Sequence, residues 1–456
     1  MTRRPKSMKP TKQITSGSIA KTIVSLAVPV VLGSFMEIAL TVVNFFWVGK
    51  LGKVAQDAIT SSMVVNWTVF SSICIVTIGL SALVSRRIGE KKPEQAAEAS
   101  QQGMWLALIL GAVVTTAGYI LTPHLLAFMQ AGEETQRHAI PYLRIFFVSA
   151  TFFALYDSGC AAFRAAGNTR TPLIVGSSMI VLNIVLDPLF IFGIGPFPKL
   201  GVPGASVATT ISILLACGMM LYLLRRGKAG FPVERLFAPR PKISEMLKIA
   251  RIGLPITIQY LTFIVVYWFL IRLVHQYGEA AGAAMGIGNR MESISYLTCS
   301  GFAIAASTMV GQNLGARQPD RAARCAWGAA GFAVAITCVI GAIFVVVPHW
   351  ITGIFTSDAE VHKIASDYLV ILGLSQFTMA IEIVLEGSFS GAGDTMAPML
   401  VLIPGAIIRV PLAYWLCFHL NWGINGVWWT LTITTTIKAT VLAFWFSRGK
   451  WKLKKV

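Results

Sequence analysis

Charge is scarce in this chain. Only 13% of its residues are charged, and acids are the rarer sign, 20 Asp and Glu against 38 Lys and Arg. Soluble domains carry about a quarter charged residues. With 55% apolar residues and a mean hydropathy of +0.68, this chain reads instead as an integral membrane protein. None of the seven cysteines forms a C-x-x-C pair, so the sequence suggests neither a disulfide framework nor a zinc site. HExxH, GxSxG and paired-histidine motifs are also missing, which argues against an intramembrane enzyme and leaves no cofactor to expect. The basic amino terminus MTRRPKSMKPTKQ has no short apolar core with a cleavage site, so no cleaved signal is expected. Six histidines fall near the outer face on the topology below and read as surface residues.

Long apolar runs are abundant. Twelve stretches are each long enough to cross roughly 30 Å of hydrocarbon as a helix. They cover about 22–48, 58–85, 99–121, 140–162, 171–193, 202–224, 250–274, 283–310, 324–347, 364–388, 396–419 and 423–447. If both ends are cytoplasmic, 28 of the Lys and Arg residues fall on the cytoplasmic side and five on the other. That asymmetry sets the orientation and accounts for the formal charge of +18 without a nucleic-acid partner. The chain is expected to cross a membrane many times and to act as a monomer.

The chain also repeats itself. FRAAGNTRTP at 163–172 returns as FSGAGDTMAP at 389–398, and Pro29/Pro255, Val84/Val310, Gly89/Gly315, Pro93/Pro319 and Tyr142/Tyr368 share the same spacing of 226. Six spans per copy, an even number, make the copies parallel. The expected organisation is a basic cytoplasmic tail at 1–21, a six-helix bundle at 22–224, a cytoplasmic linker at 225–249, a second bundle at 250–447 and a basic tail at 448–456. In each repeated turn a glycine (Gly167, Gly393) stops one helix and a proline (Pro172, Pro398) sits in the first turn of the next. These residues read as structural, and Pro29 and Pro255 read as helix bends.

Two parallel six-span bundles, a GNTRTP-type turn in each, PVVLGSFME in span 1, NIVLDPLFIFG in span 5 and GVPGASVATT in span 6 together resemble the MATE (multidrug and toxic compound extrusion) transporter family. The resemblance covers about Lys21 to Phe446. It implies an all-α membrane fold of twelve helices in two bundles related by a pseudo-twofold axis along the membrane normal. It also implies a bacterial inner membrane as the setting, alternating access, and export of cationic or amphipathic compounds in exchange for H⁺ or Na⁺. A lipid-linked oligosaccharide flippase of the same wider superfamily is the alternative.

Ionisable groups inside a bilayer are costly and tend to be functional. Six carboxylates lie within spans: Glu37, Asp157, Asp187, Glu292, Glu382 and Glu386. Five embedded basic residues, Arg144, Arg272, Arg290, Arg409 and Lys438, leave the balance slightly acidic, which suits cationic cargo. Asn183 and Asp187 share a face of span 5, as Glu37 and Asn44 share one of span 1. The resemblance assigns Asp187, Asn183 and Thr209 to the cation site. It departs at Asn44, where many bacterial members carry an Asp, and Asp157 on span 4 is expected to supply a second carboxylate beside Asp187. Two such groups in one pocket suit a proton, and the neutral oxygens of Asn183, Asn44 and Thr209 suit Na⁺. Met36, Tyr260, Tyr267, Met285, Glu382 and Arg409 are candidates for the cargo cavity. Arg409 and Ala413 stand 226 residues beyond Asn183 and Asp187, so the two copies have diverged in chemistry.

Overall fold

A computed structural model describes residues 14–128, 132–231, 233, 236–237, 240–454 and 456. Most of the basic amino tail and parts of the 225–249 linker lie outside these residues. The described chain is helical. In the first copy the helices are α1 (Ile19–Gly49), α2 (Lys53–Gly89), α3 (Pro93–Phe128), α4 (Glu133–Ala165), α5 (Arg170–Phe192) and α6 (Val202–Arg225). In the second they are α7 (Ile243–His275), α8 (Glu279–Gly315), α9 (Pro319–Val346), α10 (Pro348–Phe355), α11 (Ala359–Gly373), α12 (Gln376–Ala392), α13 (Met396–Ile407), α14 (Arg409–Tyr414) and α15 (Asn425–Ser447).

Among the described residues ten helical segments are long and apolar enough to cross a membrane, and α11 with α12, bent by 56° at their junction, makes an eleventh. The twelfth expected span corresponds to α15, whose WTLTITTTIKAT stretch is diluted by threonines and Lys438. The eleventh span is built from α13, α14 and a π-helical turn at Trp415–His419.

The duplication extends to backbone angles. Lys91 and Arg317, 226 apart, both adopt φ of 58°. Gly52 and Gly278 pair at 105° and 97°, and Gly167 and Gly393 at 83° and 78°. Non-glycine residues seldom take a positive φ, so two at equivalent places mean that both copies terminate their second helix alike. At the repeated turn the amide of Asn168 bonds the carbonyl of Phe163, and that of Asp394 bonds that of Phe389. Asn168 also caps α5: its Oδ1 accepts the Thr171 N–H at 3.1 Å, and its Nδ2 donates to Thr171 Oγ1 at 2.9 Å and to the Lys228 carbonyl at 3.3 Å.

Two compact units result, and their boundary differs from the linear one read from the sequence. Residues 32–253 make the body of one, while 14–31 and 254–456 make the other. Helices α1 and α7 therefore each change unit beside their internal prolines, Pro29 and Pro255, where the helical hydrogen-bond ladder is interrupted. Close packing holds the exchanged halves. In the first unit a Cβ on Gly253 would strike the Ile75 carbonyl, and one on Gly79 the Ile249 carbonyl. In the second, Ile23, Leu26 and Ala27 are buried against Phe302, Ala305, Ala306 and Met309, and a Cβ on Gly301 would meet the Val31 side chain.

Candidate functional site

The first unit gathers its polar side chains at two depths. Near the carboxyl end of α5, Asp187 is fully buried and Asn183, one turn earlier, is 1% exposed. Helix α6 approaches closely because Gly204 lies against the Phe190 carbonyl and leaves no room for a side chain. That approach brings Thr209 to Asn183, whose Nδ2 donates to Thr209 Oγ1 at 3.2 Å and to Asp187 Oδ1 at 3.4 Å. Asn44 of α1, with its amide oriented to satisfy both ends, donates to Asp187 Oδ2 at 2.5 Å and to the Leu40 carbonyl at 3.2 Å. Among the described residues no basic side chain forms an ion pair with Asp187. The sequence reading grouped Asp187, Asn183, Asn44 and Thr209 with Asp157 and Glu37, and the structure brings the first four together.

Two further members were missed. Tyr142 of α4 lies near Asn66 and Asp187, and among the described residues Asn66 Oδ1 is buried without a hydrogen-bond partner. The shared 226-residue spacing of Tyr142 and Tyr368 was the available signal, and Asn66 is a polar amide within span 2.

Asp157 is not beside Asp187. It lies 15 residues along α4 from Tyr142, about 22 Å at the helical rise. There it forms an ion pair with Arg164 at 2.9 Å, two turns on and on the same face. Glu37 of α1, exposed at its surface, lies within electrostatic reach of Asp157 and Arg164 and joins this group. Glu37 and Asn44 share a face, but seven residues of helix set them about 10 Å apart. The sequence-based expectation of one pocket holding both aspartates thus becomes two polar levels, because Arg164 reaches back into the span and takes up Asp157.

In the second unit two of the three embedded carboxylates, Glu382 and Glu386, have hydrogen-bonded partners. Lys438 of α15 donates to Glu382 Oε1 at 2.6 Å, with both side chains nearly buried, and Gln259 donates to Glu386 Oε1 at 2.9 Å. Arg409, 6% exposed, gives its Nε to Thr434 at 2.9 Å and an Nη to Thr435 at 3.0 Å, and its guanidinium lies 5.8 Å from the Phe263 ring. Tyr267 stacks on Phe263 and is hydrogen bonded to Asn289. The remaining cargo candidates scatter. Met285 is buried in the second unit's apolar core, Met36 accepts a hydrogen bond from Ser177 at 3.0 Å, and Tyr260 on α7 is half-buried.

Known proteins place this geometry. The sequence profile of MatE matches residues 29–189 and matches again at 255–415, once per copy. The chain belongs to the MatE family. "Probable multidrug resistance protein NorM" of Thermotoga maritima is 26% identical over 439 residues, covering 96% of this chain and 94% of that one. "FAD transporter" of Shewanella oneidensis is 26% identical over 437 residues, covering 94% and 95%. Among solved structures, a multidrug resistance MATE family transporter of the MOP superfamily in an outward-facing conformation superposes with a TM-score of 0.91 at 23% identity, covering 99% and 100% of the two chains. This MatE protein thus has the two-lobed, twelve-helix fold of those solved structures and is a multi-pass membrane protein.

Proposed function

We propose that this MatE protein is a secondary active exporter of cationic or amphipathic small molecules, driven by inward H⁺ or Na⁺ through alternating access. One observation carries the reading. Asp187 is a fully buried carboxylate held, among the described residues, by neutral partners: Asn44, Asn183 and, through Asn183, Thr209. An isolated charge in a low-dielectric interior is expensive, and a bound proton or sodium ion relieves that expense. The neutral oxygens around it are suitable ligands for a hard cation, with Asn66 Oδ1 an unused acceptor nearby.

Coupling follows from linkage. A unit that holds its cation and a unit that has released it differ by one charge at Asp187, so conformations that open this pocket to opposite sides bind the ion unequally. Cargo that favours the ion-free state is then exchanged for the ion. The inner pair Asp157–Arg164, with Glu37 on the facing stretch of α1, supplies a second acidic position closer to the cytoplasm for a cationic head group to contact. The names of the NorM relatives support drug-like cargo. The test is gradient-driven export in proteoliposomes: Asp187→Asn abolishes it, and Asp157→Asn and Glu37→Gln alter cargo affinity while leaving ion dependence in place.

A further inference from the structure

Helix α6 closes on Tyr222, Arg225 and Arg226, at the membrane face where most of the Lys and Arg residues collect. Both arginines are exposed, and among the described residues neither forms an ion pair. The Arg226 guanidinium lies over the Tyr222 ring, 4.9 Å from its centre. Beside it, within the first unit, a cleft of about 500 Å³ is lined by Gly218, Leu221, Tyr222, Arg225, Arg226 and Leu236. Gly218, Leu221, Tyr222 and Arg225 follow at i, i+3, i+4 and i+7, so they share one face of α6. A Cβ on Gly218 would meet nothing within 4 Å, which leaves the floor open. The facing wall is Leu236 of the linker. Its neighbours hold it to α3: Phe237 packs on Trp105 at 5.2 Å, the Lys242 N–H donates to Gln102 Oε1 at 2.8 Å, and Lys242 Nζ meets Glu98 at 2.5 Å. Farther into the span, Leu214 and Leu215 are 45% and 57% exposed and continue the apolar surface. The cleft is therefore cationic at its mouth and apolar toward the bilayer core.

We propose that this cleft binds an anionic glycerophospholipid, its phosphate at Arg225 and Arg226 and its chains along Leu221, Leu214 and Leu215. Guanidinium forks match phosphate oxygens in pairs, and basic pockets at the end of a span suit acidic headgroups. Among the described lining residues there is no carboxylate to receive a choline or amine group, which favours an acidic headgroup over a zwitterionic one. The apolar floor favours a lipid over a soluble phosphate. The second unit supplies a comparison. At the 222-residue spacing of the last helices, Tyr222 and Arg226 become Phe444 and Arg448, and the cation again lies over the ring, at 4.6 Å. Arg225 becomes Ser447, however, and Gly218 becomes Thr440. The second copy thus keeps the stacked arginine without the doubled charge or the open floor, and the site belongs to the first unit.

The test is native mass spectrometry of the full-length protein in detergent. Dioleoylphosphatidylglycerol is the probe, dioleoylphosphatidylcholine the zwitterionic comparison, and glycerol 3-phosphate the phosphate without chains. The wild type retains phosphatidylglycerol about tenfold more strongly than phosphatidylcholine, and glycerol 3-phosphate at millimolar concentration does not displace it. Arg225→Gln with Arg226→Gln lowers that retention by about tenfold or more, as loss of two cations beside a phosphate does. Gly218→Phe fills the floor, keeps both charges and lowers retention as well, whereas Arg448→Gln leaves it unchanged. Thermal midpoints check folding; should one first-unit variant unfold, the other carries the test. Equal retention of the two lipids, or wild-type retention by a folded first-unit variant, overturns the proposal. Displacement by glycerol 3-phosphate overturns it in favour of a soluble phosphate, and an equal loss in Arg448→Gln overturns it in favour of diffuse surface charge.

Discussion

Replacing Asp187 with Asn keeps the shape of the side chain and removes one negative charge from a site with no basic partner among the described residues. The hydrogen bond from Asn44 is short, 2.5 Å, and that from Asn183 is long, 3.4 Å. Charge-assisted bonds contribute about 1.5–3 kcal/mol each and a stretched one less than about 1, so roughly 2–4 kcal/mol of anion-specific interaction is at stake. Carried into cation binding, that is a loss on the order of thirtyfold to a thousandfold in affinity. Folding stability moves the other way, because the variant no longer buries an uncompensated carboxylate, so the thermal midpoint is unchanged or higher. The assay is uptake of a fluorescent cationic dye into inside-out proteoliposomes under an imposed H⁺ or Na⁺ gradient, alongside thermal unfolding of the same preparation. Gradient-driven transport at the wild-type rate would refute the reasoning, as would a large drop in stability, which would mean that the charge is compensated by a group not identified above.

Other substitutions test the frame. Gly253→Leu forces a side chain into the Ile75 carbonyl and is expected to destabilise by about 1–3 kcal/mol, seen as a lowered thermal midpoint in detergent. Asn168→Ala removes the cap on α5 and its bond to the Lys228 carbonyl, for a loss of about 1 kcal/mol in the same assay, with ion dependence intact. Lys438→Met leaves Glu382 buried without its partner and costs about 3–5 kcal/mol; Lys438→Met with Glu382→Gln recovers most of it, and failure to recover shows that the lysine acts elsewhere.

Much of this molecule is legible in its sequence because membrane helices announce themselves by composition, and duplication by spacing. The turn at Gly167–Asn168 and its copy at Gly393–Asp394 were read from residue types alone, since a positive φ and a first-turn proline need those residues. Asn183 and Asp187 were readable from one turn of helical spacing. Three things were not readable that way. That α1 and α7 divide between units depends on close packing through Gly79, Gly253 and Gly301, which spacing does not encode. Asp157 was matched with the wrong neighbour because depth along a helix was not counted: its partner is Arg164, two turns away on the same face. Tyr142 and Asn66 carry no charge, so a search of embedded ionisable groups passed over them.

The most direct measurement of the central claim is ion release on cargo binding. Purified wild-type protein in weakly buffered detergent, with a pH indicator or a sodium-sensitive dye, is mixed with saturating cationic cargo, and the experiment is repeated with Asp187→Asn. If Asp187 holds the coupling ion, cargo expels H⁺ or Na⁺ from the wild type and none from the variant. Equal release from both proteins would place the exchanged ion on some other group and contradict the account.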